Sequence, residues 1–154
     1  MNLSSDRQYF PLSARLKIPA TTTAENPYAV TLQSQARNLE YIEITLPQAG
    51  VLQDLGLRIL ANDGMIYPAI GSATDSNFAS GKDSYGAMPT TGSPLVLPFN
   101  RRLFGAPYSI RFEFYNDGAG TVAVNLLAVV SESINRVVIP DRKKDAAEAA
   151  VNVP

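Results

Sequence analysis

Glu40 and Glu43 form the nearest pair of carboxylates within a stretch that alternates apolar and polar residues. Two carboxyls flanking one bond could hydrolyse a glycoside. A separation of three residues in a strand, however, sends Glu40 and Glu43 to opposite faces unless a bulge intervenes. Asp54, Asp63, Asp75, Asp83, Glu113 and Asp117 are scattered over turns and outward positions and read as solvated surface charge. Asp75-Ser76-Asn77 with Asp83 collects four oxygen-bearing side chains. Calcium takes six to eight oxygens, but EF-hand spacing is absent and a polar loop is the simpler reading. Arg101-Arg102, between Pro98-Phe99-Asn100 and Leu103-Phe104-Gly105, could grip phosphate or stack on bases. The other basic cluster, Arg142-Lys143-Lys144, is neutralised by Asp141, Asp145 and Glu148, so nucleic acid is disfavoured as a partner. Pairing of the two arginines with carboxylates of another subunit, or a surface turn, fits better. Tyr67, Phe78, Tyr85 and Tyr108 fall near expected loop ends and could stack on sugars, although tryptophan, the best platform, is absent.

Two glycine motifs fail on context. Gly118-Ala119-Gly120-Thr121-Val122-Ala123 fits a loose dinucleotide pattern, which requires a helix to start there. The residues from Val122 onward alternate with period two instead, as a strand does. Gly81-Lys82 resembles the end of a phosphate-binding loop, but Ser76 stands where the earlier glycine should be and Asp83 comes after the lysine. Cysteine and histidine are both absent, which removes disulfides, Cys/His zinc sites, Cys nucleophiles, His bases and Ser-His-Asp triads. The expectation is a non-enzymatic protein with no catalytic, cofactor-binding or metal-binding residue.

The elements that carry these residues are strands. Ile42, Ile44 and Leu46 alternate with polar residues, as do Ile110, Phe112 and Phe114, and then Val122, Val124, Leu126, Ala128 and Val130. Asn116-Asp117-Gly118-Ala119-Gly120 reads as the turn of a central hairpin over residues 110–128, with Ile110, Phe112, Phe114, Val122, Val124 and Leu126 facing the core. A second hairpin runs from Gly56 to Ile70 around Asn62-Asp63-Gly64, and Pro68 makes its outgoing strand short or places it at an edge. Further strands are expected at Ala14–Ile18, Tyr28–Leu32, Leu95–Leu97 and Arg136–Ile139, with Pro19, Pro27, Pro47, Pro94, Pro98, Pro107 and Pro140 at strand ends. The count of about eight strands predicts an all-β, antiparallel sandwich of the jelly-roll or another Greek-key type.

The chain of 154 residues suits one domain. With 13 basic and 14 acidic residues, a net charge of -1 fits neither a strongly basic nucleic-acid binder nor an acidic mimic. The expected organisation is an N-terminal arm at 1–13, a sandwich at 14–140 and a C-terminal tail at 141–154. The loop 71–94 is rich in Gly, Ser, Thr, Asp and Asn. No apolar run is long enough to span a bilayer. The N-terminus has no basic and apolar leader pattern, so synthesis in a cytoplasm is expected.

Leu97-Pro98-Phe99-Asn100-Arg101-Arg102-Leu103-Phe104 and Pro107-Tyr108-Ser109-Ile110-Arg111-Phe112-Glu113-Phe114, with short Pro-bounded strands and arm-like termini, resemble small single-sandwich bacteriophage virion proteins. The resemblance spans roughly residues 20 to 140 and transfers no functional residue. It implies a capsid, cement (decoration) or fibre-base subunit, made in a host cytoplasm and resident in the virion. Such a subunit would associate with itself and with other virion proteins. The alternative is a carbohydrate- or ligand-binding sandwich of the host-adhesion type that uses the 71–94 loop.

Overall fold

A computed structural model describes residues 6–47, 55–68, 84–89, 92–105 and 107–134. They form eight strands: β1 (Arg7–Ile18), β2 (Tyr28–Ser34), β3 (Asn38–Thr45), β4 (Leu55–Ala61), β5 (Gly64–Tyr67), β6 (Leu95–Arg102), β7 (Tyr108–Asn116) and β8 (Val122–Ser133). One sheet has the order β1-β8-β3-β6 and the other β2-β7-β4-β5. Every pairing is antiparallel. The pairs β1–β8, β2–β7, β3–β6 and β4–β5 are nested like the rungs of one long hairpin, and successive rungs fall in opposite sheets. That is the winding of a jelly roll. The all-β antiparallel sandwich expected from the alternation is the fold observed.

The core lies between the two sheets. Ile110, Phe112 and Phe114 of β7 and Leu57 and Ile59 of β4 face Ile42 and Ile44 of β3 and Val124 and Leu126 of β8, all essentially inaccessible to solvent. β-branched and aromatic residues at every second position leave a pleated face that packs without polar atoms. The six residues expected on the core face of 110–128 all join this cluster, Val122 at its margin.

The pairing of that segment differs from the expectation. β7 and β8 do not pair; they lie in opposite sheets, and residues 117–121 carry the chain across the sandwich. Alternation is the same on either side of a hairpin or of a crossover, so the pattern does not separate them. A tight primed hairpin needs positive φ, which occurs at Gly64, Gly92 and Gly105 but at neither Gly118 nor Gly120. Asn116 fixes the crossover instead. Its side-chain amide donates to Ile18 O (3.0 Å) and Gly120 O (2.9 Å), and its Oδ1 accepts from Gly118 N (2.9 Å). The hairpin at Asn62-Asp63-Gly64 forms as expected, and β5 is a four-residue edge strand.

Three further expectations change. Residues 7–13, expected in an N-terminal arm, are the first half of β1 and pair in cis with β8 from Arg7↔Ser133 onward. Polar side chains on the outward face of an edge strand look, in sequence, like a solvated tail. Pro98 sits inside β6, which is possible because β6 is, among the described residues, an edge strand that pairs on one side only. Pro11 does the same in β1, the opposite edge of that sheet. Between Leu39 and Tyr41, β3 advances two residues while β8 advances one, so Glu40 is the extra residue of a bulge. Leu39 and Ile42 both reach the core, and Glu40 and Glu43 share the outer face instead of splitting between faces. The expected strand at Arg136–Ile139, the tail 141–154 and most of the 71–94 loop lie outside the described residues.

Candidate functional site

Outward positions of β4 and β7 build a charged cluster on one face of the sandwich. Arg58 and Glu113 are register partners. Glu113 Oε1 accepts from Arg58 Nε at 2.6 Å and Oε2 accepts from Arg111 Nε at 2.7 Å. Glu113 is only 8% exposed, which corrects its reading as solvated surface charge. Burial alone would raise its pKa, but the hydrogen bonds from Arg111 and Arg58 outweigh it and hold the carboxyl below the usual range. With both oxygens engaged by guanidinium groups, Glu113 serves as an ionised clamp and has no lone acid or base function to offer.

The segment 84–89 covers this cluster. Leu57 and Gly86 exchange backbone hydrogen bonds of 3.2 and 2.7 Å, so the segment continues the sheet edge beyond β5. Ser84 Oγ accepts from Arg58 Nη1 at 2.8 Å. The Arg58 guanidinium lies 4.5 Å from the centroid of the Tyr85 ring. Tyr85 meets Tyr115 edge to face at 5.0 Å and donates to Ala24 O at 2.9 Å. Its hydroxyl pKa is raised by burial. Glycine is required beneath Tyr115, since a Cβ on Gly56 would come within 2.1 Å of that ring.

The outer face of the other sheet has its own network around the β3 bulge. Ser131 is fully buried there and accepts from Arg7 Nε at 3.0 Å while donating to Glu40 Oε2. Asn38 Nδ2 also donates to Glu40 Oε2, at 3.0 Å. Beside it, Arg37 N donates to Glu132 Oε1 at 3.0 Å. At the β4–β5 turn, Arg101 Nη2 binds Asp63 Oδ2 at 2.6 Å. The carboxylate expected opposite Arg101 is thus supplied by the same chain.

Of the aromatic residues considered for sugar stacking, Tyr85 is buried beneath Arg58, and Tyr67 donates to Ala87 O at 2.7 Å with Gly86 against its ring. Tyr108 packs on the core and Phe78 lies outside the described residues. Asp75, Ser76, Asn77 and Asp83, the calcium candidates, also lie outside them. Among the described residues no group of three Cys, His, Asp or Glu side chains could hold a metal, and no helix is long and apolar enough to cross a membrane. Sequence reasoning missed the Arg58–Glu113–Arg111 clamp. Its signal was present in two charges between apolar residues, Leu57-Arg58-Ile59 and Phe112-Glu113-Phe114, but only the strand register brings them together.

The remaining feature is an open side, where β1 and β2 form the edges of the two sheets. A groove of about 460 Å³ there is lined by Phe10, Leu12, Ala36 and Val130 together with the polar Gln33 and Glu132. Tyr28, Val30 and Leu32 point toward the core from β2 yet remain only half-buried.

No family model matches the chain, and no curated protein matches it by sequence. Among solved structures, a chain of the cyanophage Pam1 capsid asymmetric unit superposes with a TM-score of 0.51 at 9% identity, covering 86% of this chain and 90% of that one. A crystal structure of FLHE matches with a TM-score of 0.47 at 8% identity over 84% of this chain and 99% of that one. A structure of infectious bursal disease virus, Gt strain, matches with a TM-score of 0.38 at 14% identity over 86% of this chain and 33% of that one. What this chain shares with the cyanophage capsid chain is the fold.

Proposed function

We propose that this chain is a structural subunit of a virion, a capsid, cement or fibre-base component, and not an enzyme. It would be made in a host cytoplasm and assemble with copies of itself and with other virion proteins. The observation that carries this reading is the jelly roll itself, running through the described residues and matched nearly end to end by a cyanophage capsid chain. Its charged side chains support the same reading. Glu113, Glu40 and Asp63 are each tied to arginine within the chain, so they lock strands together and leave no free acid–base pair among them. A body whose strands are tied together by internal ion pairs is suited to bearing load between neighbours.

The test is to purify the chain and measure its mass by light scattering, and to look for it by mass spectrometry in particles from the producing host. A closed oligomer and a place in the particle are expected. A monomer absent from particles that binds glycans on an array would overturn the reading in favour of an adhesion module.

A further inference from the structure

The four edge strands of the sandwich are not equally protected. Unpaired edges invite pairing with another chain, and proteins block them with proline, charge, bulges or brevity. β1 carries Pro11 and the cations Arg7, Arg15 and Lys17. β6 carries Pro98, a positive φ at Asn100, and Arg101 and Arg102. β5 has four residues and stops at Pro68. β2, Tyr28-Ala-Val-Thr-Leu-Gln-Ser34, has seven residues, no proline and no charge, and among the described residues it pairs on one side only, with β7.

We infer that β2 is the contact through which two copies of this chain pair, antiparallel about a two-fold axis at Thr31, joining the β2-β7-β4-β5 sheets edge to edge. The inference rests on the assembly reading above and names its contact. The strand is self-complementary in this register. Thr31 meets Thr31, an outward pair that can hydrogen-bond. Val30 meets Leu32 on the inward side, where both are still half-exposed, and Tyr28 meets Ser34, so the whole strand is used. An uncharged strand meets no repulsion from its own copy. The same axis brings Glu25, exposed just before β2, to the end of the pair where Arg37 of the second copy stands. Within the single chain Arg37 Nε lies 3.8 Å from Glu132 Oε2, too far for a hydrogen bond, while the side chain as a whole is 31% exposed and can turn toward a second acceptor. The half-buried Leu12 and exposed Phe10 of the adjoining groove would lose solvent contact as the two open sides approach. A seven-residue edge is small beside a standard interface, so the dimer should be concentration-dependent.

The experiment is sedimentation velocity across a concentration series on wild type, Thr31→Lys, Thr31→Glu and an equimolar mixture of the two variants. Thr31 is exposed, and melting curves of each variant check that it folds. Like charges placed opposite each other should weaken the dimer of either variant at least about tenfold, and the mixture should recover it as a heterodimer. Variants that dimerise as tightly as wild type, or a wild type that stays monomeric throughout, would overturn the pairing. A monomeric chain that still enters particles sinks only this contact. A wild-type dimer broken by Thr31→Lys but absent from particles supports the contact and sinks the virion reading.

Discussion

Asn-Asp-Gly occurs twice in this chain, at residues 62–64 and 116–118, each time directly after an apolar strand. The first copy closes a hairpin between β4 and β5 within one sheet, with Gly64 at φ 135°. The second copy begins a crossover from one sheet to the other. The tripeptide is the same and the asparagine is the anchor in both. Asn62, at the surface, donates to Phe104 O and Pro107 O and accepts from Ser109 Oγ. Asn116 is 1% exposed and reaches back to β1 through Ile18 O. A turn sequence therefore supplies a pivot, and the burial of its asparagine decides what that pivot joins.

The crossover is broken most severely through the core it serves. Phe112→Ala should cost about 3–5 kcal/mol, because the ring is fully buried between the sheets. Chemical denaturation would measure it, and a loss below about 1 kcal/mol would place the ring at the surface. Next comes the pair of asparagines. Asn116→Ala leaves the buried Ile18 carbonyl without its partner, together with the less buried Gly120 carbonyl and Gly118 N–H, and should cost about 1–3 kcal/mol. Asn62→Ala, where water can replace the amide, should cost about 1 kcal/mol or less. Equal losses at the two sites would contradict the difference in role.

The glycines give a smaller contrast. Gly64→Ala forces an L residue into positive φ and should cost about 1–2 kcal/mol. Gly120→Ala meets nothing within 4 Å and needs no positive φ, so its effect should lie within about 0.5 kcal/mol. Thermal melts of both variants check this. The smallest effect depends on pH. The folded pKa of Glu113 is held below its unfolded value, so its contribution is fully present above the unfolded carboxylate pKa. It is lost as pH falls through the folded value. Glu113→Gln should flatten that acid limb of the stability curve, measured as melting temperature against pH.

Much of the architecture is legible in the sequence because alternation is a local property. Ile110, Phe112 and Phe114 announce a strand and its buried face without reference to anything distant. Which strand pairs with which is not legible, because β7 finds β2 and β4 through contacts that no window of sequence contains. The same limit hides the bulge at Glu40, visible only where β3 lies against β8, and the clamp on Glu113, whose partner is 55 positions away. Arg101 can be read as seeking a carboxylate, but Asp63 as its source requires the β4–β5 turn to be placed beside the end of β6.

The pairing of β1 with β8 also sets a clock. Arg7 reaches Ser131, 124 positions downstream, so the outermost rung of the jelly roll cannot close until the last strand has been made. The β4–β5 hairpin can form as soon as it is made, with β3–β6 and β2–β7 joining in turn. Topologies dominated by such distant contacts refold in about milliseconds to seconds. During synthesis at roughly 5–20 residues per second, β1 waits roughly 6–25 s for its partner strand to be made. Through that interval Pro11, Arg15 and Lys17 keep a twelve-residue strand from finding the wrong neighbour.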